Sequence, residues 1–332
     1  MKLVTFEVAT PLGPVERLGA WRNGRIVDLN RAAALLYKAA GKARPQARAD
    51  LFVPPCLLGL LDGGHESLLE AGTALNSLKG APAGVVWNDR QVRLLAPLPR
   101  PRSLRDFFAF ENHAKAGAQR RNEPLAPEWY EQPVFYKGNP RSIIGPGATI
   151  PWPAFTRKLD FEFEIAAVVG KAGRDISVKN AHKHIAGYIV MNDCSARDIQ
   201  RNEMVCRMGP AKGKDFATVL GPYVVTADDW NGKIPELKVR VNGKEWSRSK
   251  GAQPYWNFPT MLSHASQGED LLPGDLLGSG TYFTGCGLDM ARWIKPGDRI
   301  ELDAGPLGTL KNIVGKPNGS THLKYKKNGA LA

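Results

Sequence analysis

Two carboxylates alternate with apolar side chains in residues 159–170. Phe161, Phe163 and Ile165 take turns with Glu162 and Glu164. Because side chains along a β-strand point to opposite faces in turn, the two glutamates are predicted to share one face. Carboxylates this close repel each other unless a cation neutralises them, and a hard divalent cation takes oxygen ligands. The pattern indicates a metal site; the alternative is a half-exposed strand with two solvated glutamates.

Other groups capable of chemistry stand in two further segments. Residues 187–193 are typical of a buried strand that ends in Asp193, and active groups often lie at strand ends. Asp106 precedes His113 by seven residues within a helix predicted from Ser103 to about residue 119, so both would lie on one helical face. The alternatives are an aspartate that interacts with the helix dipole and a surface histidine.

Several common site motifs are absent. Residues 209–215 resemble a phosphate-binding loop, but the spacing is one residue short and Asp215 replaces the required Ser or Thr. No G-x-S-x-G nucleophile motif is present. The four cysteines are scattered without a C-x-x-C pair, which argues against a zinc site and against disulfides in a cytosolic protein.

The elements around these groups divide the chain into three predicted parts. Residues 1–97 form a small N-terminal α+β domain, with strands at 3–8, 17–21, 25–28 and 91–95 and helices at 30–40 and 57–78. The second helix has a possible break at Gly63-Gly64. Prolines at 97, 99 and 101 mark the boundary. Residues 98–316 form the second domain, which carries the groups named above, with a hairpin at 237–247, a helix at 259–267 and a strand at 299–302; residues 317–332 form a basic tail.

Composition limits the function classes. The chain has 332 residues, 43% hydrophobic content, 35 Gly and 25 Pro, as expected of a turn-rich globular protein. The net charge of +13 suits acidic small substrates, while the bases are dispersed except at residues 120–121 and 324–327 and lack interleaved aromatics, which argues against nucleic-acid binding. We find neither a signal peptide nor an apolar run long enough to span a bilayer, so a cytoplasmic protein without membrane partners is expected.

The ordered motifs carry a resemblance. An acid seven residues before a histidine is followed by the Glu-x-Glu strand, M-N-D-x-S-A-R-D-I-Q at 191–200, G-K-x-F at 213–216 and G-S-G-T at 278–281. Together they resemble the fumarylacetoacetate hydrolase family over about residues 100–315, and residues 1–95 resemble the shorter N-terminal domain of its bacterial members. The resemblance implies an α+β fold, in which a mixed β-roll catalytic domain follows a small α/β domain. It also implies a homodimer and a bound Mg²⁺, Ca²⁺ or Mn²⁺.

The resemblance also assigns roles to individual residues. It implies four metal ligands: Asp106, Glu162, Glu164 and Asp193. It implies four catalytic groups: His113 as general base, Asp289 as its orienting partner, and Lys214 and Gln200 as stabilisers of the oxyanion. It implies three groups that hold the substrate's oxygens: Tyr136, Arg197 and Thr281. The fumarylacetoacetase branch has Glu at the position of Asp289, so the shorter acid is a departure from its pattern.

The expected reaction is hydrolysis of a carbon–carbon bond in a 1,3-diketo acid of fumarylacetoacetate or acylpyruvate type, in the catabolism of aromatic amino acids or other aromatic compounds. Met204 and Asn122 replace a Tyr and an Arg of the fumarylacetoacetase branch, so the substrate need not be fumarylacetoacetate itself. One alternative is a decarboxylase or isomerase of a small oxo acid, such as oxaloacetate or 2-hydroxyhepta-2,4-dienedioate. Ala116 argues against it, because those members carry Glu there. The other alternative is a basic binding protein without catalytic activity.

Overall fold

The computed structural model describes residues 1–249, 251–317 and 319. Apart from residues 317 and 319, the predicted basic tail, including the cluster at 324–327, lies outside the described residues. Within the described part of the chain, no helix combines the length and the apolar character needed to cross a bilayer.

The N-terminal part contains five strands and four helices among its described residues. In chain order these are β1 (Lys2–Thr10), β2 (Gly13–Arg22), β3 (Arg25–Asp28), α1 (Leu29–Ala39), α2 (Pro45–Phe52), α3 (Leu57–Asp62), α4 (Gly64–Ser77), β4 (Val86–Asn88) and β5 (Arg93–Leu94). The predicted strands and first helix are confirmed. The predicted helix at 57–78 is divided at Gly63, and Gly64 has a positive φ of 63°, which favours glycine. Helix α2 was not predicted from the sequence.

The remaining described residues form fourteen strands and five helices. They are β6 (Leu104–Phe107), α5 (Glu111–Gln119), β7 (Phe135–Gly138), β8 (Ile143–Ile144), β9 (Thr149–Trp152), β10 (Leu159–Asp160), β11 (Phe163–Val169), α6 (Val178–Ala181), β12 (Ile185–Asp193), β13 (Ser195–Ala196), α7 (Arg197–Val205), β14 (Thr218–Thr226), β15 (Lys238–Val241), β16 (Lys244–Arg248), α8 (Phe258–Ala265), β17 (Leu276–Gly278), α9 (Gly287–Met290), β18 (Arg299–Asp303) and β19 (Thr309–Pro317). The predicted hairpin, helix and strand after residue 236 are confirmed, with bounds shifted by one or two residues.

One large mixed sheet organises the molecule. Its strand order is β4-β3-β2-β1-β14-β12-β11-β17-β6-β7, with β5 added to β1 and β8 to β14. A second sheet has the order β16-β15-β18-β19-β9, and β10 pairs with β13. The α+β fold class is therefore confirmed. The antiparallel pairing of β1 with β14 continues the N-terminal strands into the sheet of residues 98–316, while the boundaries proposed for the domains stay a prediction.

Strand β11 lies between two hydrophobic cores. Ile165, Ala167 and Val169 face one core, whereas Ala166 and Val168 face the other, which also contains apolar residues of α1, α3 and α4. Successive side chains of β11 thus point to opposite faces, although all seven residues of the strand are buried. A strand held on both faces is a rigid support for the side chains at its ends.

The helix predicted to begin at Ser103 is wrong. Residues 104–107 form β6, which pairs in parallel with β17 and antiparallel with β7, and α5 begins only at Glu111. The Ser103 hydroxyl donates to Asp275 Oδ1 at 2.7 Å instead of capping a helix. Asp106 and His113 therefore lie on different elements and do not share a helical face. Long-range strand pairing overrides the local helical pattern here.

Candidate active site

Three buried carboxylates, those of Asp106, Glu164 and Asp193, meet at one end of β6, β11 and β12. Their nearest oxygens all lie within 4.8 Å of one another. Strand β17 lies between β6 and β11 in the sheet and contributes Gly278 at this level. A Cβ at Gly278 would lie 2.5 Å from Asp106 Oδ1. The glycine thus leaves the space through which acids from two non-adjacent strands reach each other.

The three carboxylates are short of positive charge. Burial, and then repulsion from Asp193, raises the pKa of Asp106 well above its ordinary value. Burial and the Asp106 carboxylate do the same to the pKa of Glu164. Glu164 Oε2 accepts from the Gly280 amide at 2.9 Å, but its buried Oε1 has no hydrogen-bond donor among the described residues. A buried oxygen cluster with an unsatisfied acceptor fits a divalent cation.

Glu162 lies outside this group of three and pairs with two cations. Its Oε2 accepts from Lys214 Nζ at 2.7 Å and its Oε1 lies 2.8 Å from Arg197 Nη2. Burial alone would raise the pKa of Glu162, but Lys214 and then Arg197 outweigh it and lower the pKa. The four predicted metal ligands are therefore arranged as a group of three with Glu162 beside it. Their roles as ligands stay a prediction.

Lys214 links Glu162 to the group of three. Its buried ammonium donates to Asp193 Oδ2, to Glu162 Oε2 and, at 2.7 Å, to Ser195 Oγ. Burial alone would lower the pKa of Lys214, but Asp193 and Glu162 outweigh it and raise the pKa. Lys214 is consequently a permanent cation and donor, not a base.

His113 and Asp289 form a close pair beside these acids. Asp289 Oδ2 lies 2.7 Å from His113 Nδ1 and accepts from the Thr284 amide at 3.1 Å, while Oδ1 accepts from Arg120 at 2.8 Å. Burial alone would raise the pKa of Asp289, but its hydrogen bonds with His113 and Arg120 lower it. An ionised Asp289 accepts the Nδ1 proton, which leaves the other ring nitrogen of His113 free to take a proton.

Two of the predicted substrate-holding groups, Tyr136 and Arg197, lie beside these acids together with Gln200, the predicted stabiliser of the oxyanion. Tyr136 is half-buried and its hydroxyl donates to Asp193 Oδ2 at 2.8 Å and Asp106 Oδ2 at 3.2 Å. Burial, and then the Asp193 charge, raises the pKa of the Tyr136 phenol, so it remains a donor. Gln200 Oε1 accepts from Arg197 Nη1 at 3.0 Å, which leaves the Gln200 amide protons available. Substrate contacts of these groups stay a prediction.

Thr281 is placed differently from Tyr136, Arg197 and Gln200. Its hydroxyl is buried and donates to the Phe163 carbonyl at 3.0 Å. The only further role open to this oxygen is that of an acceptor.

Sequence reasoning missed two residues of the site. Arg120, assigned only to a basic cluster, completes the pairing of the Asp289 carboxylate. Asp160 is buried and ion-paired with Arg197 at 2.7 Å. A signal for Asp160 was present, because it continues the alternation of Glu162 and Glu164 by one step toward the N-terminus.

Comparison with known proteins identifies the class to which this arrangement belongs. The sequence profile of the family described as Fumarylacetoacetate (FAA) hydrolase C-terminal matches residues 103–315, more than half of the chain. The chain therefore belongs to the fumarylacetoacetate hydrolase family, and the resemblance drawn from its motifs is confirmed. It is an enzyme of that family, whose members use a divalent metal.

Individual relatives differ in the reactions they are named for. An oxaloacetate tautomerase of Bacillus subtilis, YisK, is 31% identical over 230 residues, which cover 68% of this chain and 74% of the relative. The fumarylacetoacetase of Arabidopsis thaliana is also 31% identical, over 294 residues that cover 70% of this chain and 69% of the relative.

Solved structures agree on the fold. A fumarylacetoacetate hydrolase from Exiguobacterium antarcticum has a TM-score of 0.71 at 26% identity and covers 95% of this chain and 99% of its own. Maleylpyruvate hydrolase from Sphingobium sp. SYK-6, solved with manganese(II) and pyruvate, has a TM-score of 0.68 at 21% identity. It covers 96% of this chain and 100% of its own, and this likeness concerns the fold alone.

Proposed function

We propose that this protein is a metal-dependent hydrolase that cleaves a carbon–carbon bond in a 1,3-diketo acid of fumarylacetoacetate or acylpyruvate type. The observation that carries the proposal is the contact of 2.7 Å between His113 Nδ1 and Asp289 Oδ2. It supplies the oriented base that hydrolysis requires, although Asp is one methylene shorter than the Glu of the fumarylacetoacetase branch. The acid that orients His113 is Asp289 on α9. The proposed hydrolase therefore does not need an acid at position 116 of α5, where this chain has alanine.

The proposed metal site is built from Asp106, Glu164 and Asp193, with Glu162 as the fourth ligand expected from the sequence. Their oxygens and the unsatisfied Glu164 Oε1 suit Mg²⁺, Mn²⁺ or Ca²⁺. When bound, such an ion polarises the carbonyl oxygens of the diketo acid as a Lewis acid.

His113 performs the proton transfers. Its free ring nitrogen takes a proton from water, and the resulting hydroxide adds to the carbonyl carbon of the acyl group. Asp289 stabilises the imidazolium that forms. The bond between this carbonyl carbon and the carbon next to it then breaks. Its electron pair stays on the departing carbon, which is stabilised as an enolate. The enolate takes the proton back from His113, so the net reaction consumes one water and releases a carboxylic acid and a ketone.

The developing oxyanion is stabilised by cations and donors of this chain. Lys214 remains protonated because Asp193 and Glu162 outweigh burial and raise its pKa, so it offers a fixed positive charge in a water-poor site. Gln200 offers its amide protons, since its carbonyl is engaged by Arg197. Such preorganised donors usually contribute the largest share of the rate.

An isomerase of a small oxo acid is the second candidate. The observation that favours it is the similarity to the oxaloacetate tautomerase of Bacillus subtilis. A keto–enol conversion also needs an oriented base next to a polarised carbonyl. The decarboxylase and isomerase members carry their acid at the position of Ala116, so the pairing of His113 with an acid from α9 favours the hydrolase.

A substrate panel distinguishes the candidates. The purified protein is supplied with Mg²⁺, Mn²⁺ or Ca²⁺ and incubated with acylpyruvates, fumarylacetoacetate and freshly dissolved enol-oxaloacetate. Loss of enol absorbance is followed together with product analysis by NMR. Appearance of two cleavage products supports the hydrolase. Faster ketonisation of oxaloacetate without cleavage of any diketo acid supports the isomerase, and neither activity with any metal contradicts both.

We further propose a cytoplasmic homodimer that acts in the catabolism of aromatic compounds. The family resemblance supports the dimer, and light scattering coupled to size-exclusion chromatography tests it. A mass of twice the 36.2 kDa of one chain is expected.

A further inference from the structure

Asp160, the second residue of β10, is a buried carboxylate that binds two distant segments of the chain, at Arg197 and at the start of α9. Oδ2 accepts from Arg197 Nε at 2.8 Å and from the Leu288 amide at 2.9 Å. Oδ1 accepts from the Gly287 amide and from the Phe161 amide, each at 2.9 Å. Each oxygen therefore accepts from two donors, and Asp160 is only 1% exposed. It cannot rotate without breaking several charge-assisted hydrogen bonds.

One arm of this arrangement leads to Arg197, which is predicted to hold the substrate. Arg197 extends from Asp160 to Glu162 Oε1 at 2.8 Å and donates to Gln200 Oε1 at 3.0 Å. Asp160 thus holds one side of the Arg197 guanidinium, and the guanidinium also contacts Glu162 and Gln200 in the site.

The other arm leads to the base. Gly287 and Leu288 are the first two residues of α9, and Asp289 follows them directly. The two amides on Asp160 therefore set the position of the helical turn from which Asp289 reaches His113. The motifs that carry the family resemblance do not include Asp160.

Gly287 shows how closely α9 approaches Asp160. A Cβ at this position would lie 2.4 Å from Asp160 Oδ1 and 2.3 Å from the Arg292 carbonyl oxygen. A larger residue at this position would keep the Gly287 and Leu288 amides from reaching the Asp160 carboxylate. The glycine in the sequence therefore fits the close contact between α9 and Asp160.

We propose that Asp160 is a positioning residue, which holds α9 against β10 so that the short side chain of Asp289 meets His113. The inference rests on the proposed function only in naming His113 as the base. It explains why an aspartate can serve where the fumarylacetoacetase branch has a glutamate: the backbone of α9 is drawn inward by two amides bound to one buried carboxylate.

The test compares Asp160→Asn with a matched control, Asp28→Asn. Asp28 is also 1% exposed, accepts from Arg17 Nε at 2.7 Å and Arg17 Nη2 at 3.0 Å, and caps α1 through the Arg31 amide at 3.0 Å. It therefore has similar chemistry, a buried aspartate paired with an arginine and with one helix amide, but lies in the N-terminal part of the chain. Any general cost of removing such a charge appears in both variants.

The first readout is independent of catalysis. In protein labelled with ¹⁵N-histidine, the six histidines give few resonances, and the Nδ1 proton signal that is lost in His113→Ala reports the bond to Asp289. We expect this signal to shift or disappear in Asp160→Asn and to stay unchanged in Asp28→Asn. The second readout is kcat, for which we expect a loss of about 10- to 100-fold in Asp160→Asn, as is usual when an orienting partner is removed.

The outcomes separate the inference from the proposed function. A folded Asp160→Asn protein with the wild-type His113 signal overturns the inference, as does an equal loss of kcat in the two variants. If the wild-type protein cleaves no diketo acid, the proposed function fails while the His113 signal still decides the inference.

If Asp160→Asn does not fold, Gly287→Ala takes its place, because the added Cβ pushes α9 away from Asp160 and leaves the charges intact. An unchanged His113 signal in that variant overturns the inference, and a shifted one supports it.

Discussion

Replacing Asp289 by Asn removes the charge that orients His113 while keeping the size of the side chain. Asp289 Oδ2 has two partners, His113 Nδ1 and the Thr284 amide, and Oδ1 has Arg120. If the amide oxygen of Asn takes the place of Oδ2, its NH₂ group faces the Arg120 guanidinium. If the NH₂ group takes that place, it faces the Thr284 amide and drives the proton of His113 onto the ring nitrogen that must act as base.

The expected loss follows from the bond that is removed. A hydrogen bond to a charged group contributes about 1.5–3 kcal/mol. Loss of that stabilisation from the imidazolium in the transition state lowers kcat by about 10- to 160-fold, with KM nearly unchanged.

The assay measures kcat and KM on a diketo acid that the wild-type protein is known to cleave. Asp62→Asn is the control, because Asp62 forms a two-point contact with Arg102 at 2.8 and 3.0 Å away from the site. We expect Asp62→Asn to keep full activity and Asp289→Glu, which introduces the residue of the fumarylacetoacetase branch, to keep most of it. An Asp289→Asn enzyme as active as the parent would show that His113 is not oriented by Asp289.

The same contact has a consequence for stability. The hydrogen bonds with His113 and Arg120 lower the pKa of Asp289 in the folded protein. Its contribution to the free energy of unfolding is therefore present above the pKa of an unfolded aspartate and is lost as the pH falls through the lowered folded value. We expect the gap in stability between the wild type and Asp289→Asn, measured by denaturant titration, to shrink as the pH falls into that range.

Three further changes test other parts of the site. We expect His113→Ala to lower kcat by about 10²–10⁴-fold while Mn²⁺ affinity, measured by calorimetry, stays nearly unchanged; an active variant would mean that another group activates water. Glu164→Gln removes a carboxylate whose Oε1 lacks a donor, so we expect Mn²⁺ to raise its melting temperature less than that of the wild type, and an equal rise would exclude Glu164 as a ligand. Lys214→Met leaves Glu162 and Asp193 without their shared cation, and we expect a loss of about 3–5 kcal/mol in the metal-free protein by denaturant titration. Unchanged stability would contradict that account.

Two features of the sequence predicted much of the fold and of the site. They are the strict alternation of apolar and acidic residues and the order of the motifs along the chain. The alternation around Glu164 indicated a strand with clustered acids, and residues 185–193 form the expected buried strand that ends in Asp193. The Asn242-Gly243 turn indicated a hairpin because few residue pairs accept positive φ at both positions, and β15 and β16 form it. These features depend on neighbours in the chain, so they can be deduced without the fold.

Contacts between distant segments were decided only by the tertiary structure. Residues 104–107 have an apolar pattern that suits a helix, but β17 and β7 provide partners on both edges and make them a strand. Glu162 and Glu164 share a strand face by pattern, yet Glu162 pairs with Lys214 from a loop more than fifty residues away. Asp289 meets His113 across 176 residues of sequence because Asp160 binds the amides at the start of α9. The periodicity of apolar and polar residues predicts which face of a strand a side chain occupies. Which charged groups lie next to that side chain depends on how distant segments of the chain pack together.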